Sequence, residues 1–366
     1  MKRSQLTNHV STLALGAALL ATTARAEGDG AVYTMDNAAA GNHVMTYERD
    51  EDGSLNLAGT VATGGNGSGA GLSSQGSVGL SGDGRWLFVC NAGSSEVSVM
   101  AVSRNGLEVA DKVSSGGKMP VSLSPHGDLL YVLNAGGLVG DKDNITAFSF
   151  AGGKLTALAN STRALSADNT GPAQVGFTRD GNELVVTERL TSLVDTFVLG
   201  DDGLAQTSKT FASPGATPFG FDVGRKDRVF VSEAAGSASS YNLSEDGDLA
   251  VITASASTKQ KAPCWLILSH DGRFAYTANA GSGSLSGFSV SHTGALELIT
   301  ADGRTAVTGA GSHPVDLAQS NDGRFLYSLN NGNGTITGFR VEHDGSLQPV
   351  TVVNGIATSG AGLAGR

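Results

Sequence analysis

Residues 313–350 read HPVDLAQSNDGRFLYSLNNGNGTITGFRVEHDGSLQPV. A short apolar run leads into Asp322-Gly323, a second run follows at Phe325-LYSL, and a glycine-rich loop precedes a third run at Thr335-ITGFRV. Asp344-Gly345 then opens a fourth run at Leu347. Asp-Gly between alternating apolar runs is a strong hairpin signal, because glycine takes positive φ without a steric cost. The stretch therefore predicts four antiparallel strands joined by tight turns.

The same grammar recurs along the chain. Copies read Ser81-GDGRWLFVCNAGS, Ser124-PHGDLLYVLNAGG, Phe177-TRDGNELVVTERL and Ser269-HDGRFAYTANAGS. Val223-GRKDRVFVSEAAG lacks the turn glycine, and Gly30-AVYTMDNAA is an opening copy that begins at a second strand. Seven copies of a four-stranded unit, spaced near 50 residues, predict an all-β seven-bladed β-propeller. The tail Gly360-Ala361-Gly362-Leu363-Ala364 resembles the first-strand segments of the other copies. It is expected to complete blade 1 and so remove an exposed sheet edge.

Composition agrees with this reading. The chain holds 52 glycines in 366 residues, roughly twice ordinary usage, as many tight turns require. Collagen is excluded by the lack of a Gly-X-Y period, and disorder by a hydrophobic content of 40%. Lys2 and Arg3, the apolar run Val10 to Ala21, and Ala24-Arg25-Ala26 form the pattern of a secretory signal peptide. Residues 1–26 are thus expected to be removed, leaving 27–366 as a single exported domain, periplasmic or extracellular. Loss of Lys2, Arg3 and Arg25 takes the net charge from −10 to −13, which disfavours nucleic acid and anionic membranes as partners. No later run is long enough to span a membrane, and a monomer is expected. Cys90 and Cys264 lie on distant copies and are expected to be free and buried.

Antiparallel blades sort their loops onto two faces. Both families of Asp-Gly turn fall on one face, the bottom, with His126, His270, His292 and His343. The longer connections 63–77, 136–143, 159–171 and 300–312 fall on the top, where His43 and His313 can also reach. Long loops on a rigid scaffold commonly carry function. No metal-ligand spacing occurs, so neither metal nor cofactor is expected. The Gly-x-Gly-x-x-Gly match at Gly360 to Gly365 has no helix to follow and is discounted.

The second strands end on Asp36, Asn91, Asn134, Glu188, Glu233, Asn279 and Asn330, a polar ring on the top face. Asn in this place reads as a turn residue that tolerates left-handed backbone. Glu188 and Glu233 depart from it on neighbouring blades, and Arg189 follows the first. Two close carboxylates can supply an acid and a base, whereas a salt bridge between Arg189 and Glu233 is the plainer alternative. A second ring follows the blade-opening prolines, with Lys118 and Gln174 beside it. Phe219 and Trp265 could floor a ligand or pack the core, and His313 and Asp316 are its polar exceptions.

Residues 123–137, 268–290 and 313–350 resemble the seven-bladed lactonase family of 6-phosphogluconolactonase-type hydrolases and fungal carboxymuconate cycloisomerases, with blade grammar shared by YVTN-type propellers. The resemblance implies a lactone hydrolase or cycloisomerase acting on a small sugar-acid or muconate-type lactone. Four family motifs read differently here. Pro-His before the third blade is Lys118-Met119, and Pro-Arg-His opening the fourth is Pro172-Ala173-Gln174. Asn-Glu becomes Glu188-Arg189, and His-Pro-Arg-Asp-Phe becomes His313-Pro314-Val315-Asp316-Leu317. On this reading Glu188 or Glu233 activates water, while Arg189 and Lys118 stabilise the oxyanion and any substrate carboxylate. Gln174, Phe219, Trp265, His313, Asp316 and Asn134 would line the substrate. The alternative is a non-catalytic exported propeller that binds a small molecule, glycan or protein on its top face.

Overall fold

The computed structural model describes residues 30–136 and 142–366. The proposed signal segment and residues 137–141 of one top connection lie outside them. Seven antiparallel sheets form, each one blade. Blade 7 shows the pattern: Pro314–Gln319, Phe325–Asn330, Thr335–Val341 and Leu347–Asn354 pair in chain order. The innermost strands contact one another in an unbroken ring from blade to blade. Blade 1 is closed by the tail: Ala361–Gly365 pairs with Gly30–Met35, placing Thr34 opposite Leu363. Both Cys90 and Cys264 are free and buried, as expected.

The repeated phrases make local sense. In the first turn of blade 7, Asp322 Oδ1 accepts from Ser320 Oγ at 2.6 Å and from the Arg324 N–H at 3.0 Å, while Gly323 takes φ 69°. Blade 5, which lacks this glycine, substitutes a 3-10 turn at Arg225–Asp227, where Lys226 and Asp227 are themselves left-handed. On the opposite face, Met119, Gly171, Thr217, Ala262 and His313 are all left-handed, and each precedes a blade-opening proline. A bulge follows in every one of these inner strands.

The apolar core lies between blades rather than around one centre. Second-strand tyrosines reach across the seams: Tyr276 donates to the Gly345 carbonyl at 2.9 Å and Tyr327 to that of Gly53 at 2.9 Å. The channel itself is crossed from above. In the 63–77 connection, Gln75 pairs both side-chain atoms with Leu266 of blade 6, and its N–H donates to Ala173 of blade 4. Ser74 donates to Val121 of blade 3 and accepts from Trp265 Nε1 at 2.8 Å. One dipeptide thus ties three blades across the axis.

Candidate functional site

Six of the seven polar residues at the ends of the second strands are buried hydrogen-bond hubs, Asp36 alone being half-buried. Asn330 Nδ2 donates to Thr335 and Thr337, and Asn279 Nδ2 donates to Ser284 and Ser286. Asn91 donates to Ser98 and accepts from Asn42 and Thr63. Asn134 is buried in the same way, donating to the Ser115 carbonyl and to Asn144. Each hub pins the start of the third strand, which makes Asn134 a structural residue rather than a substrate contact.

Glu188 and Glu233 occupy the same place with acceptor chemistry. Glu233 is fully buried and accepts from Ser213, the Gly215 N–H, Ser237 at 2.5 Å and Ser239. Glu188, also fully buried, accepts from the Ser166 N–H and hydroxyl at 2.9 and 2.5 Å and from Thr191 at 2.6 Å. Beside it lies Asp195, whose Oδ1 accepts from Thr210 at 2.6 Å. Burial and that neighbour push the Asp195 carboxyl up to about 7. Asp143 completes the group, is raised by burial, and accepts two bonds from Thr170.

This geometry differs from an acid–base pair at the channel mouth. Both glutamates are enclosed and saturated by hydroxyl and amide donors, and each serves its own blade. The alternative salt bridge does not form either: Arg189 donates from Nε to the Gly171 carbonyl at 2.9 Å and stacks over Phe219 at 5.2 Å. Among the described residues no carboxylate forms an ion pair with it; burial lowers its pKa, and beside it lies the Cys264 thiol. That thiol is pushed up to about 12, mainly by burial.

The ring after the prolines divides into two groups. Gln174 and Asp316 stitch neighbouring inner strands together: Gln174 pairs with both backbone groups of Phe221, and Asp316 accepts from Leu317 and Leu363. Asp316 is almost completely buried, which pushes its carboxyl up to about 8. Phe219 and Trp265 are buried at a 4.9 Å centroid separation, so the aromatic pair extends the stacked Arg189 toward the axis. Trp265 and His313 line a small cavity of about 90 Å³, together with Ser73, Ser74 and Asn331. Lys118 is exposed and lines a separate hollow between blades 2 and 3 with Lys142 and Glu96.

The structure thus brings together Arg189, Phe219, Trp265 and His313, and separates them from Glu188, Glu233, Lys118, Gln174, Asp316 and Asn134. Sequence reasoning missed Gln75 and Ser74. The available signal was one large polar side chain within the glycine- and serine-rich run from Gly69 to Gly76. A histidine–carboxylate pair also occurs on this face, His43 Nδ1 lying 2.8 Å from Asp36 Oδ2. Among the described residues no group of three or more His, Cys, Asp or Glu side chains is disposed to hold a metal ion, and no helix is long and apolar enough to cross a membrane.

A closed seven-bladed propeller with polar top-face loops defines the class. The chain belongs to the lactonase seven-bladed β-propeller family, whose sequence profile matches residues 30–167 and 223–316. Among solved structures it is similar to a periplasmic gluconolactonase of Pseudomonas aeruginosa, at 19% identity and TM-score 0.71, covering 92% of this chain and 98% of that one. It is also similar to a Bacteroides fragilis protein described as a "putative 6-phosphogluconolactonase", at 17% identity and TM-score 0.69, covering 93% and 99%. At these identities the likeness is one of fold. No curated protein sequence matches the chain significantly.

Proposed function

We propose that this protein is an exported lactone hydrolase whose reaction centre is the top-face mouth between Arg189 and His313. Its substrate is a small lactone of the sugar-acid or muconate type. Family membership supports the activity, and the observation that favours this position is the run from Arg189 over Phe219 and Trp265 to the cavity beside His313. A cation with no carboxylate partner among the described residues, at one end of an aromatic floor, suits a carbonyl oxygen or a substrate carboxylate. An imidazole at the other end suits proton transfer, since histidine is the commonest general base.

The cavity of about 90 Å³ has room for water, so the lactone ring lies over it and the attacking water lies within it. Water attacks the lactone carbonyl while His313 takes its proton. The ring C–O bond then breaks, and the imidazolium returns the proton to the leaving alkoxide, giving an open hydroxy acid. Arg189 stabilises the oxyanion throughout. Glu188 and Glu233 hold the surrounding loops in place.

Hydrolysis of an aldonolactone and muconolactone panel tests this reading. His313→Asn keeps a residue tolerant of the left-handed backbone found there, φ 47°. It should lower kcat by roughly 10²–10⁴. Arg189→Met should raise KM for the carboxylate-bearing lactone more than for a neutral one. Absence of hydrolysis by the wild type, or an unchanged rate in His313→Asn, overturns the assignment.

A further inference from the structure

Six of the seven seams between blades close on their lower face in the same manner. A side chain of one blade packs directly onto the glycine in the turn between the third and fourth strands of the next. Phe325 lies on Gly53, Trp86 on Gly153, Leu129 on Gly203, Arg228 on Gly294 and Phe274 on Gly345. Val198 and Thr196 do the same for Gly247. Five of these seams use the residue five places before the polar hub, so the closing position is part of the repeat. In blade 1 that position is Ala31, and the facing turn glycine, Gly106 of blade 2, has open space where a Cβ would lie.

The seam left open is a cleft of about 880 Å³, within the ~300–1,000 Å³ span of small-molecule sites. Its lining is rich in donors rather than apolar groups. Arg49, Arg104 and Arg366 face it beside the acidic Glu48 and Asp322, with Arg49 Nη2 3.5 Å from Asp322. Arg366 Nε is buried without an acceptor, although buried donors are normally satisfied. Tyr33 is buried at the same wall, and its hydroxyl meets Arg366 instead of the turn carbonyl that its counterparts Tyr131, Tyr276 and Tyr327 bond.

We propose that the open seam between blades 1 and 2 is a second binding site, separate from the top-face mouth, for a small polar molecule bearing a carboxylate or phosphate. The arginines take its oxyanion, and Tyr33, Thr60 and Asn105 supply hydrogen bonds to its remaining polar groups. Ala31 is the residue that keeps the site open.

Isothermal titration with sodium D-gluconate, inorganic phosphate and neutral D-glucose tests the proposal and separates the two oxyanion types. At least one anion should bind the wild type, and glucose should bind at least tenfold more weakly. Ala31→Phe, which supplies the side chain found in blade 7, should weaken the anion by more than tenfold. Arg104→Gln, in an exposed turn, should weaken it by about tenfold and decides the matter if Ala31→Phe fails to fold. Both variants should hydrolyse lactones at the wild-type rate, so loss of activity in His313→Asn with anion binding intact keeps the two sites distinct. No anion binding by the wild type, or unchanged affinity in Arg104→Gln, overturns the proposal.

Discussion

Blades 5 and 7 solve one problem with opposite hydrogen-bond polarity. In blade 7 Asn330 donates to Thr335 and Thr337, and the Thr337 hydroxyl passes its own proton to the carbonyl of Thr308 in the incoming connection. In blade 5 Ser237 and Ser239 donate to Glu233, which takes the incoming connection directly through Ser213 and the Gly215 N–H. The loop also differs, since Asn330 pairs with Thr335 but Glu233 with Ser237, one residue sooner. A longer acceptor side chain accompanies a shorter loop. A departure from a repeat therefore has two possible sources, altered chemistry at a site or altered wiring inside one blade. Glu233 is wiring.

Substitutions at these hubs sharpen the contrast. Glu233→Ala should be the most damaging, because it strands buried donors from two segments of chain. A loss of roughly 3–4 kcal/mol is expected, read from the denaturant midpoint. Asn330→Ala removes a neutral hub and should cost about 2 kcal/mol. Glu233→Gln keeps the shape but points an amide N–H at serines that already donate, for a loss of about 1–2 kcal/mol. Equal losses for Asn330→Ala and Glu233→Ala would show that the carboxylate carries no extra share.

A different effect is one of slope. Asp195 is held up to about 7 by burial and by Glu188. Its raised value favours the protonated carboxyl in the folded chain. The resulting stability is complete below about pH 4 and is lost as pH rises through about 7. Asp195→Asn can donate to Glu188 at every pH and should flatten the stability profile over that window. An unaltered slope would place the titration elsewhere.

Much of the scaffold was legible because glycine and aspartate at turns act locally. Asp322-Gly323 builds its turn from residues within five positions, so its meaning survives without knowledge of the fold. The closing strand was legible for a related reason: Ala361–Gly365 carries the same small, apolar pattern as other inner strands. The proposed site was legible only in part. Arg189, Phe219, Trp265 and His313 stood out as departures or exceptions, but nothing local distinguishes them from Glu188 or Asp316. Those distinctions depend on contacts across the ring, such as Asp316 with Leu363 and Ser166 with Glu188.

The sequence by itself determined the number of blades, the face on which each loop lies and the residue at each repeated position, because strand period and turn chemistry are short-range. Tertiary structure alone decided which polar residues are consumed by packing, since a buried carboxylate and a reactive one differ only in what surrounds them. It also decided that Gln75 crosses the channel to Leu266 and that Ala31 leaves one seam open. Both follow from residues far apart in the chain meeting around a closed ring, where a single side chain fills or empties the space between neighbours.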